Sequence, residues 1–284
     1  MTFKCTVCLL AVSFPAISSA AELGPETLRA WDDYIRRVDS RTRSGVGRND
    51  PFLWTDQDPQ RAERVRRGEI LTASGVGANG TQDVPRGLIH HWIGAAFIPG
   101  VTAAQVFAVV DDYNRYNQFY RPTVIDAALL SRSAEGSSGE EDRFRVRYAQ
   151  KVLFTSEVLV SDYQERRIRR DERRWYSVTQ STRIQEFRDG DDKGNNSAVE
   201  DQGSRYIWRI YCITRYEQRD GGVYVEQENI VLSRSIPISL RWLVEPVVHR
   251  LSRDLTATSL QRTREAVRLN AQAPSPSLPV KSGG

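Results

Sequence analysis

From Thr123 to Arg234 the chain repeats one pattern, side chains alternating in character every second residue, with turns between the runs. Six stretches carry it, at 123–131, 143–150, 152–163, 173–188, 203–218 and 222–234. Period two gives each run one face toward a core and one away from it, the signature of a half-buried strand. The connections are short or turn-like: Ala134 to Glu140 and Asp189 to Asn196 are loops by composition, and Arg219-Asp220-Gly221-Gly222 joins the last pair. A parallel neighbour needs a crossover of a dozen or more residues, so strands joined this way pair antiparallel. The tract predicts one antiparallel sheet.

The elements around it are helical. After Ile236-Pro237, apolar residues fall at Leu240, Val244, Val247, Val248, Leu251 and Leu255, and one long helix is predicted through about residue 268. Pro246 sets its true start near Glu245 or kinks it there. Ahead of the sheet, Leu28, Trp31, Ile35 and Val38 predict an amphipathic helix over 24–43. Phe52-Leu53-Trp54 reads as an apolar anchor, 59–67 as a second helix and 69–72 as a short strand. Leu88 to Ile98 is a strand bounded by Gly87 and Pro99. Thr102 is an N-cap for a helix through Val106, Val109 and Val110, and the aromatic segment Tyr113 to Tyr120 follows as another short helix.

The two ends read as processed or unstructured. Lys4, an apolar stretch from Cys5 to Ile17 and then Ser18-Ser19-Ala20 have the layout of a secretory signal cleaved near Ala20, so the protein is expected to be exported, periplasmic or extracellular. Cys5 and Cys8 would leave with it, and Cys212 alone would remain, excluding an intramolecular disulfide. The rich Pro and Ser content from Ala271 onward predicts a disordered tail. The expected organisation is a signal at 1–20, an N-terminal extension at 21–83, the main domain at 84–268 and a tail at 269–284. Lys and Arg number 40 against 36 acids, and because Lys4 is the only charge in the first twenty residues, the mature balance is 39 against 36. So small an excess, interleaved with acids, argues against a nucleic-acid partner.

A first strand, a pair of short helices, a run of antiparallel strands and a long C-terminal helix follow the order of the helix-grip fold, and over residues 84–268 the chain resembles the START-like superfamily, whose members include polyketide cyclases of the SRPBCC type. Ile89-His90-His91-Trp92-Ile93-Gly94, Phe97 to Thr102, Asp112 to Tyr116, Ser181 to Ile184, Tyr206 to Arg209 and Gly222 to Glu228 are similar to a secreted bacterial branch of unknown function. The resemblance implies an α+β fold in which a curved sheet grips the helix around a cavity for a lipid or other hydrophobic small molecule. Some members are cyclases, dehydratases or hydrolases, but no catalytic motif transfers residue by residue.

Alternation then assigns faces. With Asp220-Gly221 as central turn residues, Arg219 opposes Gly222, Thr214 opposes Gln227, Cys212 opposes Asn229 and Arg215 opposes Glu226. The Arg215–Glu226 side is expected to meet water and the Trp208 side to face the core. The expected ligand-lining set is Tyr113, Tyr120, Tyr148, Gln180, Tyr206, Trp208, Cys212, Thr214, Gln227 and Asn229, with Thr182 also inward. Buried polar groups must be paired or each costs roughly 1–3 kcal/mol, so several in one interior suit a cavity holding water or a polar ligand head, or hydrogen-bond one another. The aromatic residues from Tyr113 to Tyr120 could gate its mouth, or simply pack. Arg143, Arg145 and Arg147 form a basic outer face, which allows a transient contact with a membrane surface.

Chemistry is sparse. His90 and His91 are adjacent on a strand, point to opposite faces and cannot hold one metal together; neither a metal nor a cofactor is expected. Gly75 to Gly80 matches G-x-G-x-x-G, but Thr81 to Pro85 supplies no following helix, and it reads as a hairpin loop. No G-x-S-x-G or H-E-x-x-H is present. His91, Glu226 and Glu228 are the alternative acid–base residues, should a slipped register bring the carboxylates inward. Three functions follow: a binding or carrier protein for a hydrophobic or amphipathic ligand; a cyclase- or dehydratase-type enzyme; and a structural or surface-interaction protein with no ligand. The sequence leaves oligomeric state open.

Overall fold

A computed structural model of the chain describes residues 23–44, 51–136, 139–152, 155–188, 206–235 and 238–272; side chains at 43–44, 134–136, 139, 150–152, 155–157, 188 and 238–252 lie outside that description. The signal and its cleavage near Ala20, the loop 189–196, the tail beyond Gln272 and the side chains of Leu240, Val244, Val247, Val248, His249 and Leu251 fall outside the described residues.

Among the described residues the strands form one nine-stranded sheet, and the recorded pairings are antiparallel. The strands are β1 (Leu71–Ser74), β2 (Thr81–Val84), β3 (Gly87–Pro99), β4 (Val124–Gly136), β5 (Gly139–Val152), β6 (Thr155–Arg169), β7 (Arg174–Arg188), β8 (Ile207–Arg219) and β9 (Gly222–Arg234). Their order is β1-β3-β9-β8-β7-β6-β5-β4, with β2 also on β3. The helices are α1 (Pro25–Ser44), α2 (Pro59–Arg66), α3 (Ala103–Val110), α4 (Tyr116–Phe119) and α5 (Ile238–Gln272). The curved antiparallel sheet and long C-terminal helix are arranged in the expected helix-grip fold.

Several local readings change. β1 and β2 lie end to end along β3, since Ser74 pairs with Trp92 and Thr81 with His90, so Gly75–Gly80 is an excursion between collinear strands and not a hairpin loop. Helix α5 starts ahead of Glu245, runs through Pro246 and continues to Gln272, so residues 269–272 belong to it and not to a tail. β4 and β5 extend into the stretch 134–140 and pair Gly136 with Gly139.

The sheet has two covered faces. On the front, α5 lies so close to β3 that a Cβ on Gly94 would sit 2.7 Å from Thr256 Cγ2 and 2.8 Å from Leu260 Cδ1. Ala96, Ile98, Val223, Val225 and Tyr216 pack there with α3 and with Leu260, Ala266 and Val267 of α5. Thr102 caps α3 with a reciprocal Gln105 contact, as its sequence predicts. On the back, Trp31, Tyr34 and Val38 of α1 pack on Ile89, Tyr211, Ile213, Ile230 and Leu232, while Leu53 and Val65 cover Ala95, Phe97 and Tyr224. The N-terminal extension is therefore the back wall of the core.

Candidate functional site

The β8–β9 register is the one the turn predicts: Thr214 faces Gln227, Cys212 faces Asn229, and Asp220 and Gly221 have φ of 54° and 74°, as a type I′ turn requires. Asn229 Nδ2 donates to Thr256 Oγ1 on α5 at 3.1 Å, which puts Cys212, Thr214, Gln227 and Asn229 on the front. Thr179 pairs with Cys212 and with Glu165, and Tyr163 with Phe144, so the same face runs on across β7, β6 and β5. Tyr148 donates to the Tyr163 hydroxyl at 3.3 Å, Tyr120 and Thr263 of α5 share a hydrogen bond of 3.1 Å, and Tyr113 stacks on Phe144 while donating to Asp142 at 3.0 Å. Seven of the ten expected lining residues thus share the face that α5 covers.

Three do not. Trp208 packs with Trp31, Tyr34 and Ile230 on the back, because β8 bulges there: Ile207 pairs with Ser233 and Arg209 with Leu232, leaving Trp208 as the extra residue that breaks the alternation. Tyr206 precedes β8 and is exposed. Gln180 pairs with Tyr211 and is exposed, because the β7–β8 register sends Thr179, not Gln180, to the Cys212 side; Thr182 is exposed as well.

The front also holds a charged cluster that alternation by hydropathy passes over. Arg167 pairs with Asp111 through both terminal nitrogens and lies 3.1 Å from Glu165, whose other oxygen accepts from Thr179 Oγ1 at 3.0 Å. Its guanidinium stacks 4.5 Å from the Phe107 ring centre. Burial raises the Glu165 carboxyl, against the pull of Arg167. Polar Ser161, Glu165 and Arg167 around Tyr163 make β6 read as solvated, so only the pairing of Glu165 with Thr179 reveals the direction.

The alternative acid–base residues occupy the opposite face, and the register has not slipped. That face does not meet water as expected: Glu226 and Glu228 are buried beneath the extension. Glu226 accepts from the backbone N–H groups of Trp54 at 2.7 Å and Thr55 at 2.8 Å. The expected Arg215–Glu226 pair is instead diagonal, Arg215 donating to Glu228 at 2.9 Å and to Thr42 at 2.8 Å. His91 is fully buried, with Nδ1 2.6 Å from the Tyr34 hydroxyl and Nε2 3.0 Å from Glu228 Oε1. Burial pushes the Tyr34 phenol up to about 12, so it stays protonated and able to donate to the ring nitrogen. His90 points the other way and meets Ser233 at 2.9 Å. Among the described residues no three His, Cys, Asp or Glu converge as a metal site, and no helix is long and apolar enough to cross a membrane.

No family model matches the chain, and no curated protein does. Solved structures similar to it include START, lipid-transfer and aromatase/cyclase proteins. A STAR-related lipid transfer protein from Xanthomonas axonopodis is 14% identical, with 66% of this chain and 99% of that one covered and a TM-score of 0.44. Human STARD10 is 10% identical over 79% of this chain and 84% of that one, with a TM-score of 0.43. The Zhui aromatase/cyclase from Streptomyces sp. R1128 is 13% identical over 65% and 97%, with a TM-score of 0.40.

Proposed function

We propose that the protein is an exported carrier that binds a hydrophobic or amphipathic small molecule, lipid-like in kind, between the front of the sheet and α5. One observation carries this. Tyr120, Tyr148 and Cys212 keep part of their surface accessible, yet burial drives the Tyr120 phenol and the Cys212 thiol each up to about 12 and the Tyr148 phenol well above its usual value. Side chains that are desolvated and still reachable suit the wall of an interior space. Gln227 Oε1 adds a buried acceptor with no hydrogen-bond partner, fit for a ligand hydroxyl. Aromatic walls with a few polar groups are the usual lining of such sites.

The test is incubation of the mature protein with a lipid extract followed by native mass spectrometry. A bound species of defined mass is expected, and Cys212→Trp, which fills the space, should reduce its occupancy by roughly tenfold or more while the fold persists. Ligand-free protein across broad extracts would overturn the reading. Recovery of the amino terminus at Ala21 from a secreting host tests export separately.

A second reading, an enzyme of the cyclase or dehydratase kind, moves from His91, Glu226 and Glu228 to Glu165, the front-face carboxyl that burial raises above its ordinary value. Unchanged turnover of any candidate substrate by Glu165→Gln would remove it.

A further inference from the structure

The excursion from Gly75 to Gly80 plays no part in the front-face site. It joins the collinear strands β1 and β2 and carries the pair Asn79-Gly80, the one Asn-Gly in the chain. Packing fixes the glycine. Its φ is 70°, and a Cβ there would lie 2.6 Å from the Trp92 ring, so no side chain fits. Its carbonyl accepts from the His91 N–H at 2.8 Å, just ahead of β2. Asn79 itself lies in a turn outside both strands and, with Gly77 and Ala78, is exposed.

An asparagine followed by glycine lets the next backbone nitrogen reach the side-chain carbonyl carbon, because no Cβ obstructs closure of a five-membered ring. The other asparagines among the described residues lack this arrangement. Asn114 and Asn117 precede Arg115 and Gln118. Asn229 is held in β9 and donates to Thr256 at 3.1 Å, and Asn270 lies in α5.

We propose that Asn79 is a self-modifying site, converted without enzyme or cofactor to a mixture of aspartate and isoaspartate. The Gly80 nitrogen, its proton taken by hydroxide, attacks Asn79 Cγ. The new N–Cγ bond closes a succinimide, the Cγ–Nδ2 bond breaks, and Nδ2 takes a proton from water and leaves as ammonia. Water then opens the ring. Addition at Cγ gives aspartate, and addition at the Asn79 backbone carbonyl gives isoaspartate, whose main chain runs through Cγ. The sum is amide plus water to acid plus ammonia, with no change of oxidation state. Either product puts a negative charge on the exposed turn, and isoaspartate also lengthens the main chain directly ahead of the residue seated on Trp92. This chemistry is independent of ligand binding on the front face.

The experiment is incubation of the intact protein at mildly alkaline pH, tryptic digestion, and fragmentation mass spectrometry of the peptide 68–86, which Arg67 and Arg86 delimit. Conversion at Asn79 is expected, as two acidic products separated by chromatography, at a rate proportional to hydroxide. Local opening of an exposed turn costs little, so the folded protein should react within about tenfold of the rate of the same chain unfolded in urea. Asn79→Gln keeps an exposed amide but would need a six-membered ring, and residue 79 should stay unmodified. Asn79→Asp should still accumulate isoaspartate, because its carboxyl closes the same succinimide with loss of water. Conversion in urea alone, an Asn79 amide that persists, conversion at residue 79 of Asn79→Gln, or equal conversion at Asn114 and Asn117 would each overturn the proposal.

Discussion

Glu228 shows how one side chain fastens the back of the sheet. Burial alone would push its carboxyl up; the His91 ring and the Arg215 charge outweigh that and hold it down at about 2. A carboxyl whose folded value lies below its unfolded value stabilises the fold above the unfolded value, here 4.5. That contribution is lost as pH falls toward the folded value. Glu226 has the opposite sign, because burial raises it against the N–H groups of Thr55 and Trp54, so it gives no protection that acid removes. We therefore expect the protein to lose roughly 3 kcal/mol of stability through Glu228 between about pH 5 and 2. Glu228→Gln, which leaves Arg215 a buried charge without its counter-ion, should cost about 3–5 kcal/mol at neutral pH and flatten that acid limb. Urea midpoints across this pH range would decide; an unchanged acid limb in the variant would remove Glu228 from the account.

At the scale of elements, alternation located the strands and turn chemistry set the β8–β9 register, because Asp220 and Gly221 accept positive φ where other residues strain. What alternation could not show was where it breaks. A bulge costs no change in composition, so nothing in Tyr206 to Arg209 announced that Trp208 turns to the back. Nor did the sequence show that the charged side of β9 is covered, since Glu226 and Glu228 look like solvated residues until Trp54, Tyr34 and Arg215 arrive from elsewhere in the chain. Gly94 records another contact invisible in one strand, the approach of α5. We expect Gly94→Ala to push Thr256 and Leu260 outward, costing about 1–3 kcal/mol and breaking the Asn229–Thr256 hydrogen bond. The crystal structure of the variant and its thermal midpoint would check both; an unchanged midpoint would mean that α5 yields freely there.

For the whole molecule, the question is whether the extension 21–83 is an accessory or part of the core. A sheet whose front is gripped by a helix still has a second face, and here Ile89, Tyr211, Ile213, Ile230 and Leu232 are buried on it by α1. Removing the cover would expose that apolar surface and strip Glu226 and Glu228 of the Trp54, Thr55 and Tyr34 groups that order their surroundings. Each large apolar side chain returned to water costs roughly 1.5–3 kcal/mol, and a domain's whole margin is about 5–15 kcal/mol. The two segments should therefore fold as one cooperative unit. In the intact protein, tryptophan fluorescence, with Trp31 reporting on α1 and Trp175 on β7, should lose signal at the same urea concentration as far-UV circular dichroism. A chain beginning at residue 68 should bind a hydrophobic dye and lack a cooperative transition, and Trp31→Ala in the full chain should lower the midpoint by an amount equivalent to about 3–5 kcal/mol. A truncated chain that unfolds cooperatively at the parent's midpoint would show the sheet sufficient without its back wall, and would return the extension to the role of an accessory.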